Sequence, residues 1–405
     1  MPGEVAVSLM TQGTQFTCRS CRWVTLPAVK RRSLLKAAAG SVLLSAAPGV
    51  ALGTTGVGRR VYVVVVDGLR PDEVGTALTP NLVALRANGT YFPRARSAPA
   101  VGTIPHHVMM MTGVRPDRGG VSADTIFDRA RGVVRTLGRA SDLTFPTVLE
   151  RLPALGFRTG SVLPKENLRG VFGARASYRW EPGPPVEGNA PDAFTSHALH
   201  AMIDEADPDL VLVHFGDHDR EGGLGRPLAV RTADEQLGKL VRHLEASGRW
   251  ERSVLVVTAD HPVDRSSPDG SLRGRLDADA LLRNRVVIAE NAGADLVSWT
   301  GPASDRDLAL RHLESVVSRA PGVLSVHRPA ELRLGPDAGD LVVLREAGRH
   351  LAAPAPVPLL VAGGDPVVGR GVSATPVSTV DVAPTVGRLF GLPEPPGGYD
   401  GQSVI

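Results

Sequence analysis

Three apolar segments of the sequence each end on aspartate. VYVVVVD ends at Asp67, LVLVHFGDHD brings Asp217 and Asp219, and VLVVTADH ends on Asp260 and His261. Carboxylates that converge repel one another unless a cation lies between them, so this group predicts either a bound metal ion or strongly raised pKa values. The imidazole of His261 favours a zinc-like transition metal over magnesium or calcium. The alternative is that each aspartate only caps a turn or the next helix.

A candidate nucleophile lies between the first two of these segments, in VGTIPHHVMMMTGV. Thr103 is followed by Pro105 and, after a helix-compatible run, by Gly113, which predicts a helix that starts at Thr103 and ends at the glycine. Unpaired backbone N–H groups and the helix dipole favour an anion such as phosphate at that start. The alternative is that Thr103 serves only as a helix cap.

These side chains need a scaffold that brings them together. Continuous Val and Leu runs predict strands buried on both faces, as in a mostly parallel central sheet with helices on both sides. Ligands of such α/β folds bind at the carboxyl ends of the strands, where the aspartates of the three segments would meet. Residues 266–345 alternate strand and helix periodicity with turn signals, which predicts a small α+β insert or cap.

The first 51 residues predict export and are set apart from the fold. KRRSLLK at 30–36 carries twin arginines and precedes an apolar stretch, 37–47, that is too short to span a bilayer permanently. We therefore assign 1–51 to a twin-arginine signal peptide with an upstream leader, cleaved after Ala47 or Ala51. The expected location is outside the cytoplasm, reached through the twin-arginine translocase, with no permanent membrane span.

Composition limits the partners of the remaining chain. Cys18 and Cys21, the only cysteines, lie in the leader, so the mature chain can form no disulfide. The leader also holds six of the 45 Lys and Arg residues and one of the 42 Asp and Glu residues, which leaves a mature net charge of −2. This balance implies no nucleic-acid partner. The segment 58–405 is long enough for one large α/β domain.

Five motifs from Arg60 onward occur in a characteristic order: VYVVVVDGLRPD, TPNLVALRANGTYF, TIPHHVMMMTGVRPDRGGV, TADHP and STVDVAPTVGRLFGLP. Their order resembles that of the alkaline phosphatase superfamily, and most closely its type I phosphodiesterase/nucleotide pyrophosphatase family. The resemblance implies two metal ions, usually zinc, one of them bound by Asp67, Thr103, Asp260 and His261. It also implies that Thr103 attacks phosphorus and that water then cleaves the phosphothreonine.

The second metal site departs from the family pattern, so one or two ions are expected. Relatives use an aspartate, a histidine four residues later and a late histidine. Asp219 aligns with the aspartate, but Gly223 occupies the histidine position. If Asp217 is the aligned residue instead, Glu221 takes that position.

Other histidines are candidates for the missing imidazoles. His218 lies past the strand end and is a possible ligand, whereas alternation predicts that His214 packs in the core. His350, before the apolar segment VPLLVAGG, is the candidate late histidine. His312 and His327 are interpreted as surface residues.

Two candidate substrate-binding residues also differ from the family. His106 stands where relatives have the asparagine of PNH, and Asp124 stands where relatives have an asparagine that donates to phosphate. Gly119 replaces a frequent histidine. A carboxylate cannot donate to phosphate, so its presence is expected to cost about 10²-fold or more in rate.

The sequence therefore predicts an exported hydrolase that acts on phosphate diesters or nucleotide pyrophosphate bonds of a small phosphorylated substrate. A phosphomonoesterase is one alternative, because the same metal core serves both reactions. The other is a degenerate member that binds a phosphoryl ligand or metal without turnover. A sulfatase is disfavoured, because the mature chain lacks the cysteine commonly converted to formylglycine.

Overall fold

The computed structural model describes residues 22–25, 58–100, 102–182, 189–217, 225–262, 272–291, 293–346 and 354–405. Three predicted metal ligands, His218, Asp219 and His350, lie outside the described residues and stay predictions. Most of the predicted leader also lies outside them. Among the described residues, no helix has the length and apolar composition that a membrane crossing requires.

The strands form one large sheet and three small ones. In chain order the strands are β1 (Arg22–Thr25), β2 (Arg60–Val66), β3 (Thr90–Tyr91), β4 (Ala95–Arg96), β5 (Thr125–Asp128), β6 (Val133–Thr136), β7 (Thr159–Val162), β8 (Tyr178–Glu181), β9 (Leu210–Phe215), β10 (Ser253–Thr258), β11 (Val286–Asn291), β12 (Ala294–Trp299), β13 (Val323–His327), β14 (Leu341–Arg345), β15 (Leu359–Ala362), β16 (Gly371–Val372) and β17 (Val377–Ser378).

The central sheet has nine strands in the order β1-β8-β7-β9-β2-β10-β15-β3-β16. The strands from β8 to β10 in this order are mutually parallel, whereas β15 runs antiparallel to β10. Strand β2 lies in the middle, and all seven of its residues are buried. The mostly parallel α/β sheet predicted from the Val-rich runs is therefore confirmed.

One edge of this sheet involves the predicted leader. Strand β1 pairs antiparallel with β8, and Arg22 is opposite Glu181 in the register. Cleavage of the leader would remove β1 and leave β8 as the edge strand.

Helices cover the sheet. They are α1 (Pro80–Ala87), α2 (Thr103–Thr112), α3 (Pro116–Gly119), α4 (Val148–Arg151), α5 (Glu166–Phe172), α6 (Asp192–Glu205), α7 (Arg226–Ala246), α8 (Leu272–Ala278), α9 (Arg306–Val317) and α10 (Val382–Phe390). Helices α1 and α6 both contact α7, while α2, α4 and α10 contact one another. Helix α2 ends at Gly113, whose φ of 71° is the left-handed conformation expected of a glycine at a helix end.

A second unit lies within the predicted insert, 266–345. Strands β11, β12, β14 and β13 form an antiparallel sheet, and α8 and α9 share a separate apolar core with it. Arg333 ties this unit to the main domain, because its guanidinium donates to Asp117 at 2.8 Å and to Asp400 at 3.1 Å. These bonds anchor the insert beside α3, the short helix that follows α2.

Candidate metal centre

Asp67, Asp260 and His261 converge at the carboxyl edge of the sheet. Asp67 directly follows β2, and the other two residues follow the neighbouring strand β10. All three are fully buried, and one ligand atom from each lies within 4.8 Å of the others. The Nε2 atom of His261 is 3.2 Å from Asp260 Oδ2 and 3.8 Å from Asp67 Oδ1. The structure thus brings together three of the predicted metal ligands.

The carboxylate of Asp260 tests whether a cation fits this cluster. Its Oδ1 accepts the backbone N–H groups of Gly68 and His261, each at 3.0 Å. Its buried Oδ2 accepts no hydrogen bond from the described residues. Burial, and then the charge of Asp67, raise the pKa of Asp260 to about 7. Two carboxylates that repel each other, together with an imidazole, fit a divalent transition-metal ion.

Thr103 lies at the rim of the cluster. It is the first residue of α2, and its buried hydroxyl Oγ1 is 3.3 Å from His261 Nε2. The predicted start of the helix at Thr103 is confirmed, but its N-cap residue is Gly102 and not Thr103, and Gly102 has no side chain to make a cap bond. The hydroxyl therefore faces the metal ligands.

Asp124 holds the start of the same helix. Its two carboxylate oxygens accept the backbone N–H groups of Thr103 at 3.0 Å and Ile104 at 2.8 Å. Burial raises the pKa of Asp124, although these two N–H groups favour its ionised form. The predicted substrate-binding role of Asp124 stays a prediction, and the contact that the structure adds is a cap on α2.

His106 is enclosed by backbone on both sides of its ring. Nδ1 is 2.5 Å from the carbonyl oxygen of Gly102, and Nε2 is 3.1 Å from that of Ala98. Burial, and then the nearby His261, lower the pKa of His106 to about 3. These contacts join the ring to the residues that precede α2, while its predicted contact with substrate stays a prediction.

Lys165 is a site residue that the sequence analysis missed. Only 7% of it is exposed, and its Nζ contacts Asp67 Oδ2 and lies 3.4 Å from Thr103 Oγ1. Burial alone would raise the pKa of Asp67, but Lys165 and then His214 hold that pKa well below its usual range. The available signal was position, because Lys165 follows β7 at the same sheet edge as the aspartates.

Two buried histidines, His107 and His214, extend the site from Asp67 Oδ2. His107 Nδ1 is 2.9 Å from the carbonyl oxygen of Thr103, and His107 Nε2 is 3.0 Å from His214 Nδ1. His214 Nε2 is 3.3 Å from Asp67 Oδ2. Burial, and then His214, lower the pKa of His107 well below its usual value. His214 is in the core as predicted, but it also contacts a metal-ligand candidate.

Asp217 follows β9 and interacts with the start of α6. Its Oδ2 accepts the backbone N–H of Asp192 at 2.9 Å, while Asp192 Oδ1 accepts the N–H groups of Gly216 and Asp217 at 2.7 and 3.1 Å. Asp217 is not among the three converging ligands in the described part of the chain. Its predicted role at a second metal ion stays a prediction.

The two histidines interpreted as surface residues lie in the antiparallel unit. His312 Nε2 is 2.7 Å from Asp279 Oδ2, and His327 Nε2 is 2.8 Å from Ser325 Oγ. Neither contributes to the converging ligand group.

Comparison with known proteins places this site in a family context. The sequence model of the type I phosphodiesterase/nucleotide pyrophosphatase family matches residues 61–352. Bis(5′-adenosyl)-triphosphatase of Bos taurus is 24% identical over 382 residues, which cover 85% of this chain and 81% of that protein.

Solved structures share the fold at lower identity. Murine ectonucleotide pyrophosphatase/phosphodiesterase 5 has a TM-score of 0.68 at 16% identity, with 85% of this chain and 98% of that chain covered. The alkaline phosphatase PafA has a TM-score of 0.66 at 15% identity, with the same coverage of 85% and 98%. The alkaline phosphatase-like architecture is therefore common to this chain and both enzymes.

Proposed function

We propose that this chain, which belongs to the type I phosphodiesterase/nucleotide pyrophosphatase family, hydrolyses phosphate diesters or nucleotide pyrophosphate bonds with Thr103 as nucleophile. The family match confirms the resemblance predicted from the motifs. The observation that carries the proposal is the 3.3 Å separation between Thr103 Oγ1 and His261 Nε2, at the rim of the buried ligand cluster. A hydroxyl in that place can attack a phosphoryl group that the same cluster helps to hold.

Asp67, Asp260 and His261 would hold a divalent ion, with zinc favoured by the imidazole. Such an ion, when bound, lowers the pKa of a nearby hydroxyl and withdraws charge from phosphoryl oxygens. Lys165 acts in the same direction, since an ammonium 3.4 Å from Thr103 Oγ1 favours the ionised hydroxyl. The start of a helix favours an anion in general, but at α2 the carboxylate of Asp124 already accepts the N–H groups of Thr103 and Ile104.

The reaction then proceeds in two displacements. Thr103 Oγ1 forms a bond to phosphorus as the bond to the leaving oxygen breaks, and the hydroxyl proton goes to solvent or to the leaving group. Water next attacks the phosphothreonine, which releases the phosphoryl product and restores the hydroxyl. Because a relative is named bis(5′-adenosyl)-triphosphatase, a dinucleoside triphosphate is a substrate to test first.

A binding protein without turnover is the second candidate, and Asp124 favours it. Its carboxylate occupies the N–H groups of Thr103 and Ile104, where a phosphoryl oxygen would otherwise bind. A negative charge there opposes an anionic substrate and its transition state.

Hydrolysis measurements separate the two candidates. The zinc-loaded mature protein is expected to cleave diadenosine triphosphate or bis(p-nitrophenyl) phosphate faster than p-nitrophenyl phosphate, and Thr103→Ala is expected to abolish turnover. Phosphothreonine trapped by acid quenching should be absent from the variant. Full activity in Thr103→Ala would refute the role of Thr103 as nucleophile. A folded, zinc-binding wild type without turnover would favour the binding protein.

Export remains part of the proposal. The supporting feature is the twin-arginine pattern at Arg31 and Arg32, followed by the short apolar stretch. Residues 1–51 fused to a folded reporter are expected to carry it across the cytoplasmic membrane, and replacement of both arginines by lysine should stop transport. Equal transport of both fusions would refute this route.

A further inference from the structure

Asn291, at the end of strand β11 in the insert, binds both peptide groups of Thr125 in the main domain. Its Oδ1 accepts the backbone N–H of Thr125 at 2.8 Å, and its Nδ2 donates to the carbonyl oxygen of Thr125 at 2.9 Å. Nδ2 also donates to the carbonyl oxygen of Ala289 at 3.1 Å, within its own strand. Because a backbone N–H can only donate and a carbonyl oxygen can only accept, these partners fix the orientation of the amide.

The pairing of β5 with β6 turns these peptide groups towards the insert. In this hairpin Thr125 is opposite Thr136, and the N–H of Leu137 donates to the carbonyl oxygen of Asp124 at 2.7 Å. Successive residues of an antiparallel strand direct their N–H and C=O groups to opposite sides, so those of Thr125 point away from β6. Strand β11 contacts β5 on that side, where Asn291 takes the place of a further strand partner.

The next residue along β5 carries this contact to the nucleophile helix. Asp124 directly precedes Thr125, and its carboxylate accepts the N–H groups of Thr103 at 3.0 Å and Ile104 at 2.8 Å. Because Pro105 has no N–H, these are both of the N–H groups that the first three residues of α2 offer. A continuous series of hydrogen bonds and adjacent residues therefore joins the insert to the start of α2.

We propose that Asn291 is a positioning residue for the reaction, which holds Asp124 on the N–H groups that begin α2 and so limits the access of a phosphoryl oxygen to them. The start of a helix favours an anion, but here a carboxylate of the protein occupies its donors. The insert then sets how readily that carboxylate gives way to a substrate. The part that concerns substrate rests on the proposed function, whereas the part that concerns the position of Asp124 does not.

The competing explanation is that Asn291 only joins the insert to the β5–β6 hairpin. Both explanations predict a loss of stability when the amide is removed, because two partly buried peptide groups lose their partner. They differ at the start of α2. Only the proposal predicts that the cap on Thr103 and Ile104 loosens and that a phosphodiester is cleaved faster rather than more slowly.

Amide hydrogen exchange at Thr103 and Ile104 measures the cap without any need for turnover. In Asn291→Ala, peptides that contain these two residues should exchange their amide hydrogens about 10-fold faster than in wild type, because the cap opens more often. Asn291→Asp keeps an acceptor for the N–H of Thr125 but cannot donate to its carbonyl oxygen, so it should give an intermediate rate. It also serves as the test if the alanine variant does not fold. Unchanged exchange at the start of α2 would overturn the inference.

The Asp124→Ala background shows whether Asn291 acts through Asp124. The cap is already absent there, so Asn291→Ala should add no further acceleration of exchange. An equal acceleration in both backgrounds would assign Asn291 to the insert alone and overturn the inference. Arg333→Gln is the matched control, because it weakens the contact of the insert with Asp117 and Asp400 and should leave exchange at the start of α2 unchanged.

Steady-state kinetics separate this inference from the proposed function. With a phosphodiester and the same metal load, kcat/KM of Asn291→Ala should rise about 3-fold to 10-fold, because the opposing carboxylate is displaced more easily. A lower kcat/KM that persists in the Asp124→Ala background would overturn the inference. If the wild type has no turnover but exchange responds as expected, the proposed function fails and the positioning of Asp124 by Asn291 stands. If turnover is present and exchange does not respond, only this inference fails.

Discussion

The carboxylate of Asp124 accepts the backbone N–H of Thr103, the proposed nucleophile, at 3.0 Å. One side chain therefore both caps α2 and places negative charge beside the reacting hydroxyl. The cap stabilises the helix, and the charge opposes an incoming phosphoryl group.

Asp124→Asn separates these two effects. The amide oxygen still accepts one of the two backbone N–H groups, while the amide nitrogen cannot accept the other. That N–H and the amide nitrogen can both donate to a phosphoryl oxygen, and the negative charge is removed. We expect kcat/KM for a phosphodiester to rise by about 10-fold to 10²-fold. Steady-state kinetics of wild type and variant with the same metal load measure this change.

Asp124→Ala is the matched control, because it removes the charge without providing a donor. It should cost about 0.5–2 kcal/mol of stability through the lost cap and give a smaller gain in rate. A lower kcat/KM in Asp124→Asn than in wild type would show that the carboxylate itself assists the reaction.

Lys165→Met should change metal affinity and turnover in different directions. Its ammonium contacts Asp67 and so competes with a metal ion, which means that metal affinity should stay the same or rise in the variant. The same ammonium lies 3.4 Å from Thr103 Oγ1, so kcat should fall by about 10²-fold. Chelator competition and single-turnover kinetics measure the two effects. A parallel loss of both would instead assign Lys165 to the integrity of the metal site.

The meeting of Asp67 and Asp260 at one edge of the sheet was predictable, because buried parallel strands leave a strong sequence signal. The Val run of β2 ends at Asp67 and that of β10 at Asp260, and the strand register brings their ends together. Adjacent residues such as His261 follow from the same reasoning. Helix α2 was likewise predictable from Pro105 and Gly113, which mark its first turn and its end.

The contacts made across the sheet were not predictable. Lys165 lies after β7 at the same sheet edge, but this position alone does not show that its ammonium contacts Asp67. Periodicity correctly placed His214 in the core, but it carries no information about His107, which approaches from a different helix. The Asp124 cap depends on a loop that returns to α2, so only the folded chain reveals it.

Metal binding by this centre should depend on pH through Asp260. Its pKa of about 7 in the metal-free protein lies far above the unfolded value of about 3.9, so below pH 7 a proton must leave before the metal binds. Affinity should therefore fall as the solution is acidified. Calorimetric titration in two buffers with different protonation enthalpies should find more protons released at pH 6 than at pH 8. Equal proton release at both pH values would exclude Asp260 as the titrating ligand.

The same carboxyl should affect the stability of the metal-free protein with a definite sign. Because folding raises its pKa, its stabilising contribution is complete below about pH 4 and is lost as the pH rises to about 7. Asp67 acts in the opposite sense, since its lowered pKa gives a contribution that is lost on acidification. Asp260→Asn should flatten the fall in the free energy of unfolding between pH 5 and 7, measured by denaturant titration at each pH.

Gly102 is expected to be intolerant of any side chain. Its φ is 107°, and a Cβ atom added there would lie 2.2 Å from Asp124 Oδ2. Gly102→Ala should therefore displace the Asp124 cap, lower the free energy of unfolding by more than the roughly 1–2 kcal/mol of backbone strain alone, and misplace Thr103. Gly371→Ala is the matched control, since Gly371 has a similar φ of 119° but no atom within 4 Å of an added Cβ. Urea unfolding and activity assays of both variants separate backbone strain from the collision with Asp124. Equal losses of stability in the two variants would mean that Asp124 moves aside without consequence for α2.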